Sequence, residues 1–121
     1  MKRIALAFLV GLTLFGAVKA GETEDIQFEQ YVEACKNHLD DGQSIVADKK
    51  YRVIILTMPV AFHYQDATPE VIRGMQREAI KGMRGEEVDV RIIKSLKINM
   101  VFNYITIDKK IVPITVSYKD L

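Results

Sequence analysis

The sequence contains little cysteine, histidine and proline, and it lacks tryptophan. Its 121 residues include one cysteine, Cys35, together with two histidines and three prolines. A single cysteine closes no disulfide loop within the chain, so the core must hold the fold unaided or an oligomer must contribute. The one cysteine and two histidines also match no recognised zinc-ligand spacing. The sequence therefore predicts neither a metal site nor a cofactor.

Recognisable catalytic motifs are missing as well. The chain has no G-x-S-x-G, no H-E-x-x-H and no phosphate-cradling glycine loop. Acidic pairs occur at Asp40 and Asp41 and at Glu86 and Glu87, but glycosidases do not usually build their carboxyl pairs from adjacent residues. Each pair also lies beside a glycine, as solvated caps and turns do. The sequence favours a protein without catalytic activity.

A long apolar run occurs only at the start of the chain. Lys2 and Arg3 precede an apolar run that ends at Phe15, and small residues follow it. The run is too short to span a bilayer, which needs about 20 residues. The pattern predicts a secretory signal peptide over residues 1–20. We expect residues 21–121 to form one domain in the bacterial periplasm, without a membrane span.

Neither sign of charge is in clear excess in the predicted mature protein. Without the basic residues of the signal peptide, 14 of the 17 basic residues remain against 16 acidic residues. Such a balance does not indicate binding to nucleic acid or bulk attraction to an anionic membrane surface.

Residues 22–39 have the apolar spacing of an amphipathic helix, with Thr23 as its predicted N-cap and Gly42 as its stop. Cys35 lies near the middle of the apolar stripe, and His38 lies at its border. A buried structural cysteine is therefore favoured over a nucleophile paired with His38. An intersubunit disulfide requires this stripe to face another subunit. The stripe consists of Phe28, Tyr31, Val32, Cys35 and Leu39.

A second helix is predicted from Pro69 to Gly85, with Thr68 as its N-cap. One side of this helix is apolar, and the opposite side has basic residues at intervals of four, four and three. A solvated face explains such a row without any function. The functional interpretation is a docking surface for an acidic partner or an anionic glycan. We call this row the basic ridge: Arg73, Arg77, Lys81 and Arg84.

The loop before this helix is the other candidate for partner binding. It places a histidine, a tyrosine, an amide and an acid together, and tyrosine frequently anchors protein interfaces. The alternative interpretation is a plain connection that caps the helix. The candidate residues are His63, Tyr64, Gln65 and Asp66.

The rest of the chain predicts strands. Residues 53–56 form a continuous apolar run, which suits an interior strand covered on both faces. Alternation over residues 95–104, followed by a turn at residues 108–110, predicts a C-terminal antiparallel hairpin. Pro113 fits best if the last strand lies at an edge. Residues 86–94 fit a helix or a strand, and a strand is preferred.

These elements predict an α+β fold with two helices packed on one face of a small, mostly antiparallel sheet that ends in a C-terminal hairpin. An exported α+β domain of this size with a plain signal peptide resembles the small periplasmic immunity proteins that protect bacteria from type VI secretion effectors attacking peptidoglycan. Within that family it looks most like the group paired with the lysozyme-like domain of a VgrG spike effector. The resemblance rests on size and layout along the whole chain and transfers no residue by motif. It implies direct binding over the effector's catalytic cleft, inhibition of that enzyme and a homodimer.

Two other classes of function stay open. The chain is also compatible with a periplasmic module that binds a small molecule or an envelope glycan through the basic ridge or a pocket beneath the sheet. An enzyme that uses Cys35 and His38 ranks last, because the thiol lies on the apolar stripe.

Overall fold

The computed structural model describes residues 20–121, with side chains from Thr23 onward. The predicted signal peptide lies outside the described residues, except for Ala20. Among the helices described, none is both long and apolar enough to cross a membrane. In chain order the helices and strands are α1 (Ala20–Lys36), β1 (Ser44–Asp48), β2 (Val53–Pro59), α2 (Pro69–Arg84), α3 (Glu87–Leu96), β3 (Asn99–Ile105) and β4 (Ile111–Val116).

The four strands lie side by side in the order in which they occur along the chain. β1 pairs antiparallel with β2, β2 pairs parallel with β3, and β3 pairs antiparallel with β4. A parallel pair requires a long crossover connection, and here α2 and α3 supply it. The predicted α+β fold is confirmed, and the C-terminal hairpin is β3 and β4.

The three helices pack on one face of the sheet. Every second residue of β2, β3 and β4 is buried, and the residues between them are partly or fully exposed. The buried residues of the strands and of all three helices form one hydrophobic core. The prediction that β2 is covered on both faces is wrong, since Val53 and Ile55 remain half-exposed on the uncovered face.

Residues 86–94 form most of a helix, so the preferred interpretation as a strand is wrong. α3 buries Asp89, Ile92 and Leu96, which recur at three and four residues and share one helix face. The valines at positions 88 and 90 are only half-buried, so alternation does not describe the burial here. Within residues 20–121 the sheet is consequently covered by three helices instead of the predicted two.

The bounds of α1 also differ from the prediction. The helix already includes Ala20, so Thr23 lies inside it and is not its N-cap. It ends at Lys36, and the chain then passes through a turn before β1. Gly42 adopts a φ of 82° in that turn, a conformation that glycine tolerates because it has no Cβ. Leu39 lies beyond the helix but still packs against the core.

The edge strand β1 has no counterpart among the predicted strands. Ser44, Val46 and Asp48 are exposed, and Ile45 and Ala47 are only half-buried. A five-residue strand with so little buried apolar surface gives a weak periodicity signal.

The prediction for α2 is confirmed at both ends. The Thr68 hydroxyl accepts a hydrogen bond from the Val71 N–H at 3.3 Å, and Pro69 occupies the first helical position. Proline is favourable there because its missing N–H has no partner within the helix anyway. Gly85 caps the C-terminus. These local signals fix the place at which the chain leaves the predicted binding loop and enters the helix.

Candidate functional site

The predicted binding loop forms a compact turn at the surface. Tyr64–Asp66 is one turn of 3-10 helix, and the His63 N–H donates to Asp66 Oδ2 at 3.3 Å. The Asp66 N–H donates in turn to the His63 carbonyl oxygen at 2.9 Å. His63, Tyr64, Gln65 and Asp66 are all exposed. The backbone of the loop is therefore held by its own hydrogen bonds while its side chains face solvent.

The loop is hydrogen-bonded to the turn between β3 and β4, and β3 is the strand next to β2. The Tyr64 N–H donates to Asp108 Oδ1 at 2.9 Å, and the Ile107 N–H donates to the Phe62 carbonyl oxygen at 2.9 Å. The sequence indicates the loop but not its connection to this turn. The two segments form one surface, which we call the tip: residues 62–66 and 106–110.

Asp108 connects the two halves of the tip. Its Oδ1 also accepts a hydrogen bond from Thr106 Oγ1 at 2.7 Å, and Thr106 is 2% exposed. The hydrogen bond from Thr106, followed by the one from the Tyr64 N–H, lowers the pKa of the Asp108 carboxyl below its usual value. The exposed loop is thereby fastened to a residue of the core through a carboxylate that is ionised at neutral pH.

The tip exposes an aromatic ring, an aliphatic side chain and two lysines. Tyr64 is 46% exposed and Ile107 is 52% exposed. The Lys110 Nζ lies 5.3 Å from the centre of the Tyr64 ring, within the range of a cation–π contact. Lys109 adopts a left-handed φ of 64°, which is uncommon for a residue other than glycine. These groups give the tip both apolar and cationic contact area.

The basic ridge lies exposed along α2, directly after the loop. Among the described residues, Arg73, Arg77 and Lys81 take part in no ion pair. The Arg84 Nη2 donates to the Asp120 carbonyl oxygen at 2.7 Å, so this arginine fastens the end of α2 to the C-terminal segment. The structure therefore connects the loop residues to the β3–β4 turn and leaves three ridge residues on a separate helix surface.

Cys35 is a buried cysteine that forms no disulfide, and it lies, 2% exposed, on the face of α1 that packs into the core. His38 follows the helix at the surface, where its Nδ1 donates to the Ala34 carbonyl oxygen at 2.9 Å. A reactive cysteine needs an accessible thiolate. Because Cys35 is buried, its thiol is not accessible in this way.

A buried polar pair between α1 and α3 has no counterpart in the sequence analysis. The Tyr31 hydroxyl donates to Asp89 Oδ1 at 2.9 Å, and Asp89 is 0% exposed. Desolvation by burial raises the pKa of Asp89 to about 7, although the hydrogen bond from Tyr31 opposes that shift. Burial is also the main cause that raises the pKa of Tyr31, and Cys35 adds to it. The signal in the sequence is an acid on the apolar face of a helix, at helical spacing from Ile92.

A shallow groove of about 350 Å³ lies between α1 and the edge strand β1. Phe28, Val32 and Ala47 contribute the apolar part of its lining. Charged side chains complete the rim, among them Glu29 and Lys49, which form an ion pair at 3.1 Å. This groove is distinct in its residues from both the tip and the basic ridge.

Within residues 23–121, no three side chains of histidine, cysteine, aspartate or glutamate come close enough to hold a metal ion. Comparison with known proteins finds no match to a family model, to a characterised protein or to a solved structure. The candidate surfaces are therefore interpreted from their own geometry.

Proposed function

We propose that this chain is an exported, non-catalytic binding protein that inhibits a cell-wall-degrading effector by inserting the tip into its catalytic cleft. The observation that carries the proposal is the hydrogen-bonded tip, in which Asp108 holds the loop of Tyr64 against the β3–β4 turn. Inhibition of this kind requires no chemistry from the inhibitor. It requires a surface that enters a cleft and stays in place.

The tip suits that task because its backbone is fixed before binding. Binding costs free energy when loops and side chains become ordered at the interface, and a preformed surface reduces that cost. Hydrogen bonds from the Tyr64 N–H and the Thr106 hydroxyl converge on Asp108, and Ile107 adds a backbone bond to Phe62. Little rearrangement of the tip is therefore needed on binding.

The side chains of the tip fit a cleft that is apolar in part and acidic at its centre. Glycoside hydrolases carry a pair of carboxyl groups at the bond they cleave. Lys109 is exposed at the turn and forms no ion pair among the described residues. Tyr64 supplies the kind of aromatic anchor that contributes strongly to protein interfaces. Together they offer a cation for the carboxyl groups and a ring for the surrounding wall.

The basic ridge on α2 would give the same partner a second contact surface, separate from the tip. Arg73, Arg77 and Lys81 would face an acidic rim of the same partner, since arginine matches carboxylate geometry through its fork of donors. Exposed charges of this kind mainly increase the association rate and depend on salt. We expect the ridge to increase the rate of association with the effector and the tip to slow its dissociation.

Two further parts of the proposal rest on the sequence alone. Export to the periplasm depends on residues 1–20, and a homodimer is implied by the resemblance to the periplasmic immunity proteins. Peptide sequencing of the protein recovered from a periplasmic extract tests the first, with cleavage before Gly21 as the expected result. A size-exclusion mass measurement of residues 21–121 tests the second.

The central experiment measures how much a purified lysozyme-like effector is inhibited by this protein and by two tyrosine variants. Tyr64→Ala removes the anchor from the tip. Tyr51→Ala removes another exposed tyrosine, 65% exposed against 46% for Tyr64, that also has a lysine Nζ 5.3 Å from the centre of its ring. We expect Tyr64→Ala to weaken binding by about 30-fold, the effect of losing one strong anchor, and Tyr51→Ala to leave it unchanged.

Two results would contradict the proposal. If the unmodified protein forms no complex with the effector at micromolar concentration and leaves cell-wall hydrolysis intact, the inhibitory function is wrong. If both tyrosine variants weaken binding equally, inhibition does not depend on the tip. Circular dichroism of each variant excludes unfolding as the cause.

A further inference from the structure

Asp89 is the one charged residue that is fully buried within residues 23–121, at 0% exposed. Its Oδ1 accepts a hydrogen bond from the Tyr31 hydroxyl at 2.9 Å, and its Oδ2 is buried without a hydrogen-bond partner among the described residues. No lysine or arginine in that part of the chain forms an ion pair with it. Burying a charge without partners is costly, and both oxygens of a carboxylate accept hydrogen bonds. The surroundings therefore suit a neutral carboxylic acid better than a carboxylate.

The groups that act on the charge of Asp89 come from α1, from the turn after it and from the start of α3. Tyr31 and His38 favour the charged form, whereas Glu86, which precedes α3, disfavours it. Cys35, on the same helix as Tyr31, acts electrostatically on that tyrosine. Among the described residues of α2 and of the C-terminal segment, which also pack against α3, no charged group shifts the pKa of Asp89. Burial is the largest influence, and it favours the protonated form.

The first turn of α3 has little else that anchors it in the core. Of residues 87–90, Asp89 alone is fully buried, while Val88 and Val90 are half-buried. The N-cap residue, Glu86, forms no side-chain capping hydrogen bond. The later turns are anchored by three buried side chains: Ile92, Ile93 and Leu96. The turn that carries Asp89 can therefore move away from α1 while the rest of α3 stays packed.

We propose that the contact between α1 and the first turn of α3 is a pH-sensitive latch, closed while Asp89 is protonated and opened locally when Asp89 ionises. In the closed state an ionised carboxylate has a single donor, from Tyr31, whereas in the open state water solvates both of its oxygens. Opening also gives water access to Cys35, because this residue lies beside Tyr31 at the same contact. The strands and the later turns of α3 stay in place. The latch does not depend on the inhibitory function.

The direction of the pH dependence follows from the pKa of Asp89 in the two states. Desolvation raises it to about 7 in the closed state, and a solvated aspartate has a value of about 4. Between these pH values the open state has lost a proton that the closed state retains. The equilibrium constant for opening therefore rises about tenfold per pH unit from about pH 4 to about pH 7 and is constant above that. Acid closes the latch, and neutral pH loosens it.

Cys35 reports the opening because it is the only cysteine of the chain. The test measures how fast the native protein reacts with dithiodipyridine, which labels thiols even in mild acid, between about pH 5 and pH 8. Division by the rate for a short peptide with the sequence around Cys35 removes the intrinsic pH dependence of the thiol. We expect this rate ratio to increase about tenfold per pH unit up to about pH 7 and then to level off. A ratio that stays constant over this range would overturn the proposal.

Three variants identify the group that titrates. Asp89→Asn keeps an oxygen that accepts from Tyr31 but cannot ionise, so its rate ratio should not change with pH. Glu87→Gln removes an exposed carboxyl from the same turn of α3, and His38→Gln removes a histidine, a residue type that changes charge near neutral pH. Both controls should keep the slope of the unmodified protein. If Asp89→Asn keeps the slope as well, or if either control loses it, Asp89 does not operate the latch.

The dependence on urea separates local opening from unfolding of the whole domain. Global unfolding exposes a large surface and increases steeply with urea, whereas local opening exposes little and is nearly independent of urea. At pH 7 we expect the labelling rate to stay nearly constant at low urea. Amides of the central strand, Asn99–Ile105, should be protected from hydrogen exchange at least about tenfold more strongly than Cys35 is protected from labelling. The proposal is wrong if labelling follows global unfolding at every urea concentration, or if the two degrees of protection are equal.

Discussion

Two lysines hold the backbone in a conformation that glycine adopts with less strain. Lys97 ends α3 at a φ of 55°, and Lys109 lies in the β3–β4 turn at 64°. The left-handed region costs other L-residues about 1 kcal/mol relative to glycine. We expect Lys97→Gly and Lys109→Gly each to raise the free energy of unfolding by about 1 kcal/mol, measured by urea denaturation.

The same pair of variants tests the role of Lys109 in binding. Lys97 precedes β3, whereas Lys109 follows it, so the two lysines lie at opposite ends of that strand. Lys109→Gly should stabilise the fold and yet weaken the complex with the effector, because it removes the exposed cation of the tip. Lys97→Gly should stabilise the fold alone. If the two variants bind the effector with equal affinity, Lys109 does not contribute to the contact with it.

The carboxyl of Asp89 makes stability depend on pH. Its pKa is raised to about 7 in the fold by desolvation and, to a smaller extent, by Glu86, while Tyr31 and His38 lower it. Between about pH 4 and 7 the unfolded chain ionises this group while the folded chain retains the proton. The free energy of unfolding should therefore fall as pH rises, by at most about 1.4 kcal/mol per pH unit from this group, and level off above pH 7.

Asp89→Asn removes the titration and keeps an oxygen that accepts from Tyr31. Urea denaturation at several pH values should show that this variant loses the extra decline of stability between pH 4 and 7. Other carboxyl groups remain in both proteins, so the difference between the two curves is the quantity to compare. If the two curves run parallel over this range, Asp89 does not cause the decline of stability with rising pH.

At the scale of helices and strands, the pair of Tyr31 and Asp89 joins α1 to α3. Tyr31→Phe removes the hydroxyl donor and leaves the buried carboxyl without it. Loss of a partner by a buried polar group costs about 1–3 kcal/mol. We expect a decrease of that size in the free energy of unfolding at neutral pH. The pKa of Asp89 should also rise further, measured by ¹³C NMR titration, because the hydrogen bond from Tyr31 lowers it.

Tyr104→Phe is the matched control for this variant. Tyr104 is 3% exposed on β3, and burial alone raises its pKa. Because the change deletes a hydroxyl from another buried tyrosine but leaves Asp89 with its donor, it should cost less stability and leave the pKa of Asp89 unchanged. If both variants have similar effects, the loss of stability comes from removing a buried tyrosine hydroxyl and not from breaking the contact between α1 and α3.

The helices show which local signals suffice for prediction. α2 was predictable at both ends because Thr68, Pro69 and Gly85 are strong local signals for capping and termination. α3 was not, because Val88 and Val90 alternate as in a strand, and an acid on the apolar face obscured the helical stripe. Asp89 is accommodated there only because Tyr31, far away in sequence, donates to it. That contact depends on tertiary structure, which periodicity does not report.

At the scale of the whole molecule, the candidate site depends on strand order. The loop of Tyr64 and the turn of Asp108 follow β2 and β3, and they meet because these two strands are parallel neighbours. The sequence indicated the loop and the turn separately, and nothing in either segment specifies that pairing. The sequence therefore located both segments of the tip but marked only the loop as a binding candidate, and the topology of the sheet brings the two segments together.

The same topology leaves two sheet edges, β1 and β4. A single substitution in β4 can free its backbone to pair with another strand. Pro113 lies in β4 opposite Asn103 of β3. Because the ladder continues past it, its nitrogen must face away from β3, where a proline does no harm. Pro113→Val adds an outward N–H and a side chain with high β-propensity. We expect the variant to self-associate on heating, seen as light scattering that increases with protein concentration.

Thr115→Val provides the control for this effect. It adds the same β-branched apolar side chain to β4 but no backbone donor, and Gln76 can still bind the carbonyl oxygen of residue 115. Stronger scattering from Pro113→Val than from Thr115→Val would show that the proline protects the edge through its missing N–H. Combining Pro113→Val with Gln76→Ala should increase it further, because the second change releases the carbonyl. If Thr115→Val scatters as strongly as Pro113→Val, exposed apolar surface is the cause instead.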